Sequence, residues 1–281
     1  MSAPRTDLAE GPDTQTGEAA TAEAGLVMCD EPRPRLRRIV LNQPAKRNAL
    51  SPDLREALLA ALHEAGRDAD VRVIILSGSN GHFCAGGDLA SLSGVEAGEM
   101  RQRIAAGHAV VRAIATCGKP VVAAVEGYAM GAGAGLALAA DVILMGAGAR
   151  IGFPFVKVGL GPDFGVSHFL PRRVGAARAQ RLLMRGEAVG GAAAMAYGLA
   201  DELAEDGQVA ERAVEIGSEF LALPAATLGL IKAQFSKSEA LAMQAAFDCE
   251  IAQQALSIVG PAFREGSDAF LQKRRANFAN L

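Results

Sequence analysis

The chain is poor in cysteine, and none of its four, Cys29, Cys84, Cys117 and Cys249, stands in a C-x-x-C or other metal-binding spacing. That usage fits a reducing compartment. Neither sign of charge dominates: 28 basic residues against 31 acidic leave a net charge of −3. A balance this mild argues against nucleic acid or a membrane surface as partner. A membrane-spanning run is also missing. The uninterrupted apolar and glycine-rich stretch 127–140 is bracketed by Glu126 and Asp141. It falls short of the ~20 residues a span needs, so its Gly127, Gly131 and Gly135 ladder is not a transmembrane dimer motif. The N-terminal stretch has no apolar core for a signal peptide. Asp7, Glu10, Asp13, Glu18 and Glu23 outweigh Arg5 there, the reverse of a transit peptide. The final Ala279-Asn280-Leu281 is no peroxisomal address. A cytoplasmic location is the expectation.

Several catalytic signatures are absent as well. There is no G-x-S-x-G elbow and no G-x-x-x-x-G-K-[ST] loop, which argues against the common serine hydrolases and P-loop enzymes. Gly131-x-Gly133 has Leu136 where a dinucleotide fingerprint needs glycine or alanine. No histidine spacing suggests a metal.

What remains is a globular composition, 50% hydrophobic and 21% charged over 281 residues, enough chain to bury about three quarters of its unfolded surface. Residues 1–24 are polar and acidic and read as a disordered tail. Two strands follow, 26–29 and 35–42, joined by a turn over Glu31-Pro-Arg-Pro34. Ser51-Pro52 opens a helix with an apolar stripe at Leu54, Ala57, Leu58, Ala61 and Leu62, and Gly66 is expected to end it. Strands at 71–77, 120–126 and 142–145 alternate with helices at 97–116 and 132–140. Residues 151–169 look loop-like, and the pattern from 174 onward is helical. This predicts an α/β core over 25–222 with a helical region, 223–281, appended to the same domain.

The most informative features are two small-residue turns, Phe83-Cys-Ala-Gly-Gly-Asp-Leu89 and Gly127-Tyr-Ala-Met-Gly-Ala-Gly-Ala-Gly135, each following an apolar strand. Such bends let a ligand touch bare backbone, and the free N–H groups at a helix start favour negative charge. Two of them suggest backbone donors converging on one oxygen, the layout of an oxyanion hole. Asp88 and Asp141 read as structural groups, and Cys84 as a small apolar filler. His63 and His108 fall within helical patterns, at the surface or the edge of the core. Asp163 lies in Gly159-Leu-Gly-Pro-Asp-Phe-Gly165, among apolar neighbours. It is either a turn residue or a carboxyl with a raised pKa, able to act as a base near neutral pH.

Taken together these residues resemble the crotonase (enoyl-CoA hydratase/isomerase) superfamily over about 25–281. Leu41-Asn-Gln-Pro-Ala-Lys-Arg-Asn-Ala-Leu50 is similar to the family's L-N-x-P-x-x-x-N-A-L. The first turn resembles its F-x-A-G-x-D, and Lys119-Pro-Val through Asp141 its K-P-V-x-A-x-V-x-G-x-A-x-G-x-G. Glu265-Gly through Phe278 resembles the closing E-G-x-x-A-F-x-x-K-R. The resemblance implies a spiral of ββα repeats with a C-terminal helical trimerisation region, a homotrimer or hexamer, and acyl-CoA substrates of the kind found in fatty acid metabolism. Coenzyme A would arrive with the substrate, and no separate cofactor or metal is implied. The oxyanion donors would be the N–H groups of Ala85 and Ala132. Substrate contacts would come from Lys46, Arg47 and Ala49, from Gly86, Gly87, Asp88 and Leu89, from Met130 and Gly131, and from Phe155, Phe270 and Lys273.

Two departures shape the expected reaction. The positions of the two hydratase glutamates hold Gly135 and Phe155, neither able to move a proton. Asp163 falls where the isomerase-like members carry their single base. The expectation is a CoA-thioester isomerase moving a double bond from the 3- to the 2-position, with hydration or a catalytically inactive CoA-binding role as alternatives.

Overall fold

The structure is a computed structural model that describes residues 25–279 and 281, so the tail read over 1–24 lies outside the described residues. In chain order the elements are β1 (Val27–Arg33), β2 (Leu36–Leu41), α1 (Pro52–Arg67), β3 (Val73–Gly78), α2 (Ala97–Thr116), β4 (Val121–Val125), β5 (Tyr128–Met130), α3 (Ala132–Leu138), β6 (Val142–Gly146) and β7 (Arg150–Gly152). Then come α4 (Val166–Val174), α5 (Ala176–Arg185), β8 (Ala188–Gly190), α6 (Gly191–Tyr197), β9 (Glu202–Ala204), α7 (Val209–Leu221), α8 (Ala225–Ser238), α9 (Ala240–Ser257) and α10 (Pro261–Leu271). Short 3-10 turns occupy Pro44–Lys46, Leu89–Leu92 and Pro154–Val158.

The main sheet has the order β1-β2-β3-β4-β6-β9, parallel from β2 onward, with β1 antiparallel at its edge. β3 and β4 are buried on both faces, which is why they read as unbroken apolar runs rather than alternating ones. One face packs Ile39, Leu41, Ile74, Leu76, Ala123 and Val125 under α1, α2 and α3. The other packs Leu36, Val73, Ile75 and Val122 under Val209, Ala213 and Ile216 of α7. A second sheet, β5-β7-β8, stands beside the first, and the chain winds between the two as strand pairs followed by helices. α9 then runs along α2 and touches α4, while α10 closes over the 3-10 turn at 154–158.

Several expected boundaries move. β1 runs through Pro32 to Arg33, leaving a tight turn at Pro34-Arg35 with Arg35 at φ 70°. An edge strand tolerates proline because no neighbour needs its N–H. Gly66 does not end α1, which continues to Arg67 and stops where Asp68 turns extended. The first small-residue turn leads into a 3-10 turn, not an α-helix. β7, β8 and β9, three residues each, lie within segments read as loop or helix.

Among the described residues no single helix is long and apolar enough to cross a membrane. α7 and α8 together have the length and composition, but they meet at a 103° bend, and α7 is packed on the sheet.

Ser51 caps α1 as its sequence suggests: its side chain accepts the Leu54 N–H at 3.2 Å, and Pro52 stands at the first helical position. Ser51→Ala should cost about 1 kcal/mol of stability, read as a lower denaturation midpoint with an unchanged slope.

Candidate functional site: a cavity with two free backbone donors and one buried carboxyl

The first turn is held from below by Asn48, a fully buried residue with φ 58°. Its side-chain oxygen accepts the Gln43 N–H at 2.8 Å, and its amide donates to the Ser79 and His82 carbonyls at 3.1 and 2.7 Å. The turn is then bonded to β5, the strand inside the second turn. Phe83 and Cys84 donate their N–H groups to Glu126 and Tyr128 at 2.9 and 2.8 Å, and Met130 returns one to Cys84 at 3.0 Å. The two turns abut so closely that only small residues fit. A Cβ at Gly133 would lie 2.5 Å from the Cys84 carbonyl oxygen, and one at Gly86 2.8 Å from that of Met130.

The donors of this pair differ from expectation at one position. Ala132 opens α3, and among the described residues its N–H has no acceptor. The Ala85 N–H, by contrast, is already spent on the Arg47 carbonyl at 3.0 Å. Among the described residues the Gly86 and Gly87 N–H groups of the first turn have no acceptor; both residues line the cavity, and Gly87 has open space where a side chain would be. Ala85 therefore ties the turn to the segment carrying Arg47, and the N–H groups left free in this turn are those of Gly86 and Gly87.

Both turns line a cavity of about 690 Å³. Gly86, Asp88, Leu89, Gly131, Phe155 and Phe270 line it too, together with Leu92, Met100, Ile104 and Leu160. Lys157, Arg274 and Arg275 stand exposed at its rim. Lys46, Arg47, Ala49, Met130 and Lys273 do not line it within this chain. Lys46 reaches it indirectly, through an ion pair of 2.7 Å with Asp88, and Met130 packs against Gly152. Cys84 is fully buried behind the first turn, its thiol pushed up to about 12 by burial, which makes it inert. Asp141 accepts the Val121 N–H at 2.7 Å and pairs with Lys232 at 2.6 Å, a structural role.

Asp163 is 8% exposed and faces the cavity. Its Oδ2 accepts from Gln254 Nε2 at 2.9 Å, and its Oδ1 has no partner. Burial first, and the nearby Glu250 carboxylate second, push its pKa up to about 8, against the opposing Gln254 hydrogen bond and the Arg55 charge. Gln254 and Glu250 were invisible to sequence reading. One turn apart on α9, they grip the Asp163 loop at both ends. Gln254 also donates to the Gly161 carbonyl at 2.9 Å. Glu250 accepts the Gly165 and Ser167 N–H groups at 2.9 and 3.0 Å and bonds His108 at 2.7 Å. His108, expected at the surface or the edge of the core, is 4% exposed and stacks on Phe247.

Phe164, next to Asp163 and at φ 52°, explains the missing acids. Its ring fills the space over Gly107, where a Cβ would lie 2.6 Å away, and its backbone and Cβ seal Gly135, where a Cβ would fall 2.5 Å from the Phe164 oxygen. Phe155 lies beside the second turn, its ring 3.6 Å from where a Gly131 Cβ would be. No side chain projects into the cavity from 135, and the one at 155 is apolar.

Fold and cavity together define an α/β protein with one cavity lined by free backbone N–H groups and by a single carboxyl that lacks a cation partner. The chain belongs to the enoyl-CoA hydratase/isomerase family of the crotonase superfamily, whose sequence model matches residues 34–280. It is 32% identical to the 1,2-epoxyphenylacetyl-CoA isomerase of Escherichia coli K12 over 246 residues, covering 85% of this chain and 93% of that protein. It is 31% identical to the crotonyl-CoA hydratase of Syntrophomonas wolfei over 241 residues, with the same coverage. The crystal structure of an enoyl-CoA hydratase from Mycobacterium avium subsp. paratuberculosis K-10 superposes with a TM-score of 0.82 at 27% identity, covering 91% of this chain and 99% of that one.

A carboxyl whose folded pKa of about 8 exceeds its unfolded value of about 4 costs the folded state stability as pH rises between the two. Asp163→Asn should therefore match the parent near pH 4 and become progressively more stable than it up to about pH 8, checked by denaturant melts across that range.

Proposed function

We propose that this protein is an acyl-CoA isomerase that moves a carbon–carbon double bond from the 3- to the 2-position of an enoyl-CoA. The observation that carries the reading is the inventory of cavity acids. Among the described residues two carboxyl groups line the cavity; Asp88 is ion-paired to Lys46, and Asp163 is left without a cation partner. One base suffices for a 1,3-proton shift, whereas activating and then splitting a water calls for more proton-handling groups than this cavity offers.

In this mechanism the thioester oxygen is held by the Gly87 and Ala132 N–H groups. Asp163, ionised, takes a proton from C2 through its free Oδ1. The electrons move into a dienolate whose charge settles on the thioester oxygen, where each donor contributes about 3–4 kcal/mol of transition-state stabilisation. The now neutral Asp163 returns the proton at C4, and the double bond moves into conjugation. A carboxyl with a pKa near 8 is matched to this work, since it neither holds its proton too tightly nor releases it too readily near neutral pH. Phe155 and Phe164 keep water from the dienolate. The exposed Lys157 and Arg275 at the rim suit the phosphates of coenzyme A.

Asp163→Ala should abolish double-bond migration on a 3-enoyl-CoA, a loss of at least about 10³-fold in kcat, while acyl-CoA affinity changes little. The parent should hydrate crotonyl-CoA poorly. Rapid hydration, or full isomerase turnover in Asp163→Ala, would replace this reading.

We also propose a homotrimeric assembly or its dimer, since Leu230, Phe235, Leu241 and Leu256 of α8 and α9 stand 66–88% exposed on the single chain. Sedimentation at micromolar protein should give three or six times the 29.0 kDa chain mass.

A further inference from the structure

Of the cations lining the cavity, Arg55 is the one set into its wall with no carboxylate partner among the described residues. Arg55 sits on the first turn of α1 and lines the cavity beside Arg103, together with Met100, Ile104 and Asp163. Its Nη1 donates to the Arg103 main-chain oxygen at 2.9 Å. Among the described residues no carboxylate comes within ion-pair distance of it. Its neighbour is in a different position: the Arg103 guanidinium pairs with Glu99 at 2.7 Å and donates to the Ser91 carbonyl at 2.9 Å. Arg55 is thus half removed from water, faces a like charge, and has only a main-chain oxygen as acceptor. Burial first and Arg103 second depress its pKa.

A desolvated guanidinium without an acid is an unbalanced cost unless something that enters the cavity supplies the anion. Asp163 does not supply it within the fold. Its Oδ2 is bonded to Gln254 instead, and its charge reaches Arg55 only at longer range. The coenzyme A phosphates are not suited to it either, because the rim carries its own exposed cations in Lys157 and Arg275, with Arg274 paired to Glu265.

We propose that Arg55 is a carboxylate-binding residue, and that the protein's substrates are CoA thioesters whose acyl chain ends in a second carboxylate. The inference rests on the reading that CoA thioesters occupy this cavity, but not on the double-bond shift. Gly87, Ala132, Asp163 and Arg55 all line the one cavity, so a thioester held at the backbone donors would have its acyl end within the same space as the Arg55 guanidinium. The planar guanidinium fork matches a carboxylate with two parallel hydrogen bonds, which a lysine at this position would not reproduce. The surrounding Met100, Ile104 and Leu92 would raise the strength of that pairing by excluding water.

The test uses unreactive, saturated ligands, so that it stands apart from the catalytic reading. Titration calorimetry compares hexanoyl-CoA with adipyl-CoA, and octanoyl-CoA with suberyl-CoA, on the parent, Arg55→Leu and Arg55→Lys. At least one diacid thioester should bind the parent tenfold or more tightly than its monoacid partner. That ratio should fall to about one in Arg55→Leu and recover in part in Arg55→Lys. Equal binding of both partners by the parent at each chain length would overturn the proposal, and so would an Arg55→Leu variant that weakens both partners equally. A preserved diacid preference in a protein that moves no double bond would remove the isomerase reading and keep this one.

Discussion

The short backbone ladder between the two small-residue turns is the constraint on which the site depends. Three hydrogen bonds join Phe83 and Cys84 to the chain around β5, and they bring together segments that leave the sheet from two different parallel strands. Because the contact is backbone to backbone, the residues at its closest points are limited to glycine. Gly86 and Gly133 have no room for even a methyl group. The positions of the Gly87 and Ala132 donors follow from this ladder rather than from any side chain. Donors fixed in this way need no reorganisation when charge develops on a bound oxygen, which is the condition under which such groups stabilise a transition state most. Asn48 and the Arg47 carbonyl complete the arrangement by holding the first turn from its other side.

The carboxyl opposite is positioned by a separate device. The loop carrying Asp163 has little structure of its own, and α9 supplies it through two side chains one helical turn apart. Glu250 satisfies the N–H groups at the start of α4, and Gln254 holds Asp163 itself. The two side chains act oppositely on the base, since the charge of Glu250 discourages its ionisation and the amide of Gln254 favours it. Placement and proton affinity of the base are therefore both set from one face of one helix. Asp163 and the two α9 side chains that hold it are well separated in the sequence.

Much of this was legible before any coordinates, and the rest was not, for identifiable reasons. The α1 cap, the apolar strands at the centre of the sheet and the two turns follow from local chemistry, because a serine before a proline or a glycine at a tight bend acts within a few residues. The burial of Asp163 followed from its apolar neighbours. β7, β8 and β9, three residues each, exist only through pairing with distant partners, and so carry no periodicity of their own. The Ala85 N–H was expected as a donor from the family resemblance, and its acceptor, the Arg47 carbonyl, lies far back in the chain where no local signal reveals it. Glu250 and Gln254 act across 85 and 91 residues, and in the sequence they are ordinary polar positions on a helix.

Phe164 has a consequence for how such a protein could change its chemistry over time. It wedges between α2 and α3 by occupying the volume that Gly107 and Gly135 leave free. A mutation that placed an acid at 135 would collide with the Phe164 backbone before the acid could do anything. Moving Phe164 aside would disturb the adjacent base and open a void over Gly107. The passage between one-base and two-acid chemistry therefore has no viable first step at this position alone. Positions 107, 135 and 164 are thus coupled by packing, and a side chain at 135 calls for a compensating change at 164.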